Sequence, residues 1–425
     1  MQTINKQYKN LIIQMDFSSL YPHISMMANL HTRNKDGTGW NGGKLFKTEG
    51  YYDDKELGGM GKLLRKWYYL RLKYKCKGVL EDGTIIKLKD IHNHIGKNIF
   101  IPPEDKHSLE IDTITITKEI SDDLSNYKED RREYTIKILL NLQYGILNHP
   151  YYKLVHDSIA GGDCTRLGRQ FIKYARKVFR EAGYPIIYSD TDSWFFVDVF
   201  NNPDKYIKLK DKVIKDIKDS MPFPQLTFDA DVDAIIKHIY FFKGKQEDKL
   251  TDVEMDEDDI INKPKGLMKK NYIYVETNDK ITIKNLGIAK KNISALSKKI
   301  FNEKMKPFII DGKIKFYKSQ ISNWIYELLS KDLSLIYMRK DVKETHQYKK
   351  SKTGIQYKIS KQYGPGIHFM IPNKRGIGVG KSTTYCTEEE FKEYQMTIDD
   401  IDLKNVWQEL KYFIKPKKVK TLFEY

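Results

Sequence analysis

Cysteine is nearly missing from this chain. Cys76, Cys164 and Cys386 are the only three in 425 residues. They lie too far apart for a zinc knuckle or a disulfide framework, so free thiols in a reducing compartment are expected. Long apolar runs are missing too. No stretch approaches the ~18 residues that a spanning helix needs, and the opening Met1-Gln-Thr-Ile-Asn-Lys6 is too polar for a secretory signal. These absences set aside membrane-embedded and secreted classes and make the cytoplasm the expected location. No internal repeat is visible, and no Pro- or Ser-rich linker divides the chain.

Positive charge is abundant. Lys and Arg number 74 against 57 Asp and Glu, a formal charge of +17. A chain this basic expects a polyanion, and nucleic acid suits it better than an acidic membrane surface. With 40% hydrophobic residues, 29 Tyr and 19 Phe, disorder is excluded. The length is ample for a large core and several domains.

Leu11-Ile-Ile-Gln-Met-Asp16-Phe17 reads as a buried strand ending on a carboxylate. Residues 61–78 read as a basic helix stopped by Gly78, and 80–125 as β-like and turn-rich. Further helices are expected over 126–147 and 161–182. Ile186–Val197 has two apolar arms around Ser189-Asp-Thr-Asp-Ser193, a hairpin pattern. The acidic run Glu247–Asp259 reads as a solvated loop. Beyond Lys284 the chain is Lys-rich with helical periodicity, which suits a surface that grips a phosphate backbone.

Arg375-Gly-Ile-Gly-Val-Gly-Lys381-Ser382 imitates a phosphate-binding P-loop. The motif's first glycine is replaced by Arg375, and Thr383–Cys386 looks extended where a P-loop must open a helix. The next helix start is the capping box Thr387–Glu390. An ATPase site is therefore not expected.

Three segments carry chemistry. Asp16-Phe-Ser-Ser-Leu-Tyr-Pro22 sets a carboxylate at a strand end, where either a metal partner or a turn and helix cap would satisfy it. Asp190 and Asp192 sit at the hairpin tip. Carboxylates converging from separate strands can hold paired Mg²⁺, although Asp and Ser are also ordinary turn residues. Lys137, Asn141 and Tyr144 recur on one helix face, with Ile136, Leu139 and Leu140 expected to supply the core. Such a face suits triphosphate and base contacts, or is simply solvated. Arg71 and Lys75 form a second cationic pair one helical turn apart.

In order and spacing these residues resemble the polymerase motifs of family B (alpha-like) DNA polymerases. Asp16–Pro22 looks like the Asp-x-x-Ser-Leu-Tyr-Pro motif, and Lys137-Ile-Leu-Leu-Asn141-Leu-Gln-Tyr144-Gly145 like Lys-x-x-x-Asn-Ser-x-Tyr-Gly. Tyr188-Ser-Asp190-Thr-Asp192-Ser193 looks like Tyr-x-Asp-Thr-Asp-Ser, and Lys269-Lys270-Asn-Tyr272 like the Lys-Lys-x-Tyr element. The resemblance implies an α+β right-hand fold with an antiparallel-sheet palm, helical fingers and a mostly helical thumb. Residues 1–60 and 147–285 would form the palm, 61–146 the fingers, and 286–425 the thumb with its tail. The implied reaction is template-directed addition of dNTPs to a primer 3′-hydroxyl. Asp16 and Asp192, with Asp190 and the Phe17 carbonyl, would hold two Mg²⁺ ions, for which Mn²⁺ can substitute. Ser19, Leu20, Tyr21, Arg71, Lys75, Lys137 and Asn141 would bind the nucleotide. Tyr144, Gly145, Tyr188, Lys270 and Tyr272 would contact primer–template DNA.

This sequence departs from the pattern in three places. Leu142 replaces the usual Ser, and about 243–265 looks inserted. The first motif starts sixteen residues in, before any upstream exonuclease of the kind the family carries. A truncated chain, or the polymerase half of a split enzyme with a separate exonuclease or N-terminal subunit, is therefore expected. Pro365-Gly-Ile-His-Phe369 and the C-terminal residues look most like the T-even bacteriophage branch, which would place the protein in host cytoplasm. Leu422, Phe423 and Tyr425 resemble a sliding-clamp tail. A non-catalytic DNA- or clamp-binding subunit is the competing class; retention of all three aspartates speaks against it.

Overall fold

The computed structural model describes residues 10–103, 108–153, 155–243, 267–290, 293–347, 354–380 and 383–415. The acidic run Glu247–Asp259, Lys381 and the tail residues Leu422, Phe423 and Tyr425 lie outside them. The chain divides into two units at Ile235/Ile236.

In chain order the first unit holds β1 (Ile12–Phe17), α1 (Leu20–Met27), β2 (Arg33–Asn34), β3 (Trp40–Gly42), β4 (Lys47–Tyr52) and α2 (Gly59–Tyr74). Next come β5 (Lys77–Leu80), β6 (Ile85–Lys87), β7 (Asn98–Ile101), β8 (Asp112–Thr115), α3 (Lys118–Ser125) and α4 (Arg132–Asn148). It continues with α5 (Ser158–Glu181), β9 (Ile186–Ser189), β10 (Ser193–Val197) and α6 (Pro203–Asp219), and ends in the first residues of β11 (Ala230–Lys243). The apolar run at 12–15 is a strand because both its faces are covered. Ile12, Ile13, Gln14 and Met15 are all buried. β10 pairs antiparallel with β1 on one side and β9 on the other, so the expected hairpin forms. A second antiparallel sheet runs β6-β5-β7-β8, and a third β2-β4-β3.

Helix α5 backs the main sheet with Leu167, Phe171, Ala175 and Phe179, all fully buried. Asp157 caps it, accepting from the Ile159 and Ala160 amides at 3.1 and 3.0 Å. At Gly168 the helix passes so close to α1 that a Cβ would stand 3.3 Å from Tyr21 Cε1. Asp163 is wholly buried on the same helix and accepts from the Glu49 and Gly50 amides and the Tyr52 hydroxyl.

The second unit holds the remainder of β11, β12 (Leu267–Glu276), β13 (Ile281–Lys284), α7 (Ala295–Lys299), α8 (Lys306–Ile310) and α9 (Lys318–Lys331). It then runs through β14 (Met338–Val342), α10 (Ile355–Tyr363), β15 (Gly366–Asn373), β16 (Val379–Gly380), β17 (Thr384–Cys386), α11 (Glu388–Glu393) and α12 (Lys404–Leu410). Its core gathers Leu296, Ile300, Met305, Ile321, Ile325 and Phe413. In the glycine-rich stretch β16 pairs antiparallel with β17, with Val379 opposite Tyr385 and Gly380 opposite Thr384. The helix after it opens on the expected Thr387–Glu390 capping box. Thr384–Cys386 is a strand, extended as expected from the sequence.

Several boundaries differ from the sequence reading. The basic helix ends at Tyr74 rather than at Gly78, because Cys76 takes a left-handed conformation (φ 53°). Gly78 belongs to β5, where a Cβ would meet Ile99 Cδ1 at 2.6 Å. It is a packing glycine, not a helix stop. The β-like stretch contains a helix, α3, capped by Thr117, and the next helix starts at Arg132 instead of 126. The segment between α2 and α4 is a four-stranded sheet plus α3, so residues 61–146 are mixed rather than purely helical. Residues 286–425 likewise combine helices with the sheet β14-β15-β17-β16. On α4 the buried stripe is Leu140, Gln143 and Leu147; Ile136 and Leu139 are half-buried. The three cysteines are free. Among the described residues no helix is long and apolar enough to cross a membrane.

Candidate active site

Asp16 lies opposite Ser193 in the β1–β10 ladder, and the Phe17 amide donates to the Asp192 carbonyl at 2.8 Å. Backbone pairing therefore brings the ends of two distant sequence segments together. The Ser18 amide bonds the Asp229 carbonyl at 2.9 Å, setting the start of β11 beside the same strand end. The chain then turns into α1 through Ser19, a non-glycine residue at φ 51°. Ser19 is the N-cap of α1, so Asp16 does not cap that helix. The Ser19 hydroxyl is not spent on capping either; it accepts from Arg71 Nη1 at 2.9 Å.

These elements enclose a cleft of about 510 Å³. On the strand side it is lined by Asp16, Phe17, Asp192, Asp231 and Asp233, and on the helix side by Arg71, Lys75, Lys137 and Asn141. Ser19, Leu20 and Tyr21 line it between the two. Ten of the residues singled out in the sequence thus share one cavity whose walls carry opposite charge. Tyr144 is not in the lining, but its ring stacks on Tyr21 at 4.9 Å. Gly145 is exposed on the next position of α4. Asp190 stays in the hairpin turn, its carboxylate accepting from the Thr191 amide at 2.8 Å. Tyr188 packs on Phe195 from β9. Lys270 and Tyr272 belong to β12 of the second unit.

Beneath the Ser19 turn, His23 is completely buried. Burial pushes its pKa down to about 4, so the ring is neutral. Nδ1–H donates to the Ser19 carbonyl at 3.1 Å, and Nε2 then accepts from the Thr227 hydroxyl at 3.1 Å. Burial also raises the Tyr21 hydroxyl to about 12, keeping it protonated. On α4, Gln143 Oε1 accepts from Ser25 and His31, each at 3.1 Å, which locks the helix against the segment that follows β1.

The donor set suits a hard divalent cation. Among the described residues no group of three or more His, Cys, Asp or Glu side chains is gathered to hold a metal by itself. The cleft offers carboxylates from two strand ends and a neighbouring cationic wall. That is the arrangement Mg²⁺ uses when substrate phosphates and water complete its octahedron.

Sequence reading missed Asp231, Asp233, Lys77 and Glu133. The first two follow the alternation Asp229-Ala-Asp231-Val-Asp233, which puts carboxylates on one face of a strand. Ser18 Oγ donates to Asp231 at 2.8 Å. Lys77 lines the cleft from β5, a cation contributed by the small sheet. Glu133 precedes Lys137 by one helical turn and pairs with Arg71 at 2.8 Å.

No protein-family profile matches the chain. DNA polymerase 1 of Saccharolobus solfataricus is 28% identical over 195 residues, 45% of this chain and 18% of that protein. DNA polymerase 2 of Aeropyrum pernix is 31% identical over 117 residues, 28% of this chain and 13% of its own length. The DNA polymerase alpha catalytic subunit of Xenopus laevis is 27% identical over 122 residues, covering 29% and 8%. The solved family B DNA polymerase of Pyrobaculum calidifontis superposes with a TM-score of 0.51 at 15% identity, covering 98% of this chain and 46% of that one. The chain thus spans less than half the length of the relatives it matches. In fold it is similar to a family B DNA polymerase, and in sequence to DNA polymerases.

Proposed function

We propose that this chain is the polymerase module of a DNA-directed DNA polymerase, with residues 1–60 and 147–285 as palm, 61–146 as fingers and 286–425 as thumb. The observation that carries the reading is the single cleft joining Asp16 and Asp192 at strand ends to Arg71 and Lys137 on two helices and Lys75 at the C-cap of the first. The reaction is in-line attack of a primer 3′-hydroxyl on the α-phosphate of a dNTP, with release of pyrophosphate. Asp16, Asp192 and the Phe17 carbonyl would hold two Mg²⁺ ions, with Asp190 an outer carboxylate. When bound, the metals lower the pKa of the attacking hydroxyl and neutralise charge on the leaving oxygens. Arg71, Lys75 and Lys137 bind the triphosphate, helped by the amides of Ser19 and Leu20 at the start of α1. Asn141 would bind the nucleotide, and Tyr144, Gly145, Tyr188, Lys270 and Tyr272 would contact primer–template DNA.

The finer placement near the T-even bacteriophage branch, and clamp docking through Leu422, Phe423 and Tyr425, are part of this proposal. The test is extension of a labelled primer on a template by the whole chain with Mg²⁺ and dNTPs. Template-directed addition is expected. A chain that binds primer–template and adds nothing with either Mg²⁺ or Mn²⁺ overturns it.

A further inference from the structure

We infer that Glu133 is a positioning residue for nucleotide phosphates, aiming Arg71 and Lys75 into the cleft by bridging them from outside it. The inference deepens the polymerase reading and rests on it for the identity of the ligand. Arg71 in the last turn of α2 and Lys75 at its C-cap stand one turn apart, where like charges repel and long side chains drift toward solvent. Glu133, in the first turn of α4, holds both with one oxygen. Its Oε1 is 2.8 Å from Arg71 Nε and 3.5 Å from Lys75 Nζ. Arg71 Nη1 is fixed in turn by Ser19 Oγ at 2.9 Å. The guanidinium is thereby held at two points, from two different elements.

Direction is what makes this more than a surface ion pair. Both cations line the cleft and Glu133 does not. The carboxylate takes the Nε edge of Arg71, so it organises the cations without occupying the space they face. The same helix carries Lys137 and Asn141 one and two turns further on, both in the lining. The bridge therefore also sets the α2 cations relative to Lys137, the third positive charge. Burial acts to raise the Glu133 carboxyl, but the Arg71 hydrogen bond and the charges of Lys75 and Arg71 outweigh it and hold it below the usual range. Glu133 is ionised throughout the neutral range, so the bridge is a permanent part of the site.

The Arg71 and Glu133 side chains are only 14% and 21% exposed, so losing the charge costs some stability as well. The signature of positioning is therefore a loss of nucleotide affinity measured where the variant is still fully folded. The test is Glu133→Gln, which keeps the shape and removes the charge. Equilibrium binding of a fluorescent deoxynucleoside triphosphate with Mg²⁺ is measured on the full chain with primer–template, alongside KM and kcat for extension. Affinity should fall about tenfold and KM rise in parallel, with kcat changed less than about twofold. In an Arg71→Ala, Lys75→Ala background, Glu133→Gln should cause no further loss. Unchanged affinity in the single variant overturns the inference, as does an equal loss in that background or a loss confined to temperatures where the variant is unfolding. Because binding needs no turnover, a wild-type chain that binds nucleotide but adds none fails the polymerase reading alone. A chain that extends normally with Glu133→Gln fails this inference alone.

Discussion

The rings of Tyr21 and Tyr144 stack with centroids 4.9 Å apart and planes inclined by 29°. One comes from the helix that follows β1 and the other from the helix that carries Lys137. The contact ties α1 at the cleft to the helix that carries Lys137, and at Gly168 α5 passes close enough to pack against Tyr21.

The resemblance to family B polymerases implies that the Tyr21 ring packs under the incoming sugar and excludes a 2′-hydroxyl; on that reading Tyr21→Ala should raise the kcat/KM ratio of ribonucleotide to deoxyribonucleotide at least about tenfold, equivalent to ~1.4 kcal/mol. Tyr21→Phe should leave the ratio unchanged, since the ring and not the hydroxyl does the excluding. Tyr144→Ala should fall between them by loosening the stack. Competition between the two nucleotides on one template reads this directly, and an unmoved ratio in Tyr21→Ala places the gate elsewhere.

Asp16→Asn and Asp192→Asn should each lower extension by at least on the order of 10²–10³-fold while primer–template binding stays intact. Asp190 lies outside the cleft lining, so Asp190→Asn should be milder. Single-turnover extension beside a DNA-binding titration checks the split. Near-normal turnover in Asp16→Asn removes the metal assignment.

His23 gives the fold a pH response of known sign. The unfolded chain protonates this ring near pH 6.5, whereas burial holds the folded ring neutral until about pH 4. Between those values the unfolded state binds more protons, so stability falls as pH drops through the window. The slope from this group is about 1.4 kcal/mol per pH unit. Melting curves at pH 7, 6 and 5 should show it, and His23→Gln should flatten it. An equal slope in the variant would mean that other groups set the response.

Asp163 anchors β4 to α5 from a site with no solvent exposure. Burial and the Asp163 charge together hold the Tyr52 hydroxyl protonated, so it donates permanently. Asp163→Ala strands that hydroxyl and the two amides of Glu49 and Gly50. It should cost on the order of 3 kcal/mol, seen as a lower urea midpoint. Asp163→Asn keeps one acceptor and should cost less.

Asp16, Tyr21, Lys137 and Asp192 were marked in the sequence by the resemblance of their segments, in order and spacing, to the family B motifs, and all four line one cleft. Asp231 and Asp233 were not, since a strand's alternation says which face a carboxylate takes but not which cavity that face meets. Glu133 is defined by Arg71, 62 residues earlier, a pairing that only tertiary packing creates. The helix α3 was hidden inside a β-rich stretch because Thr117 caps it locally while its neighbours propose strands. Gly78 misled for a related reason. A glycine after a basic helix looks like a terminator, yet here it makes room for Ile99.

The ladder that sets Asp16 opposite Ser193 also governs what length changes the protein tolerates. Strand side chains alternate between faces, so one residue inserted within Ile12–Phe17 or Ser193–Val197 turns a whole row of side chains over. The acid that faced the cleft would be turned into the core, and since both faces of these strands are covered, each row would meet packing shaped for the other. The exposed turn Asp82–Thr84 between β5 and β6 has no such constraint. Survivors of a random-insertion library should therefore cluster in turns like that one and leave two blank intervals, one at each strand.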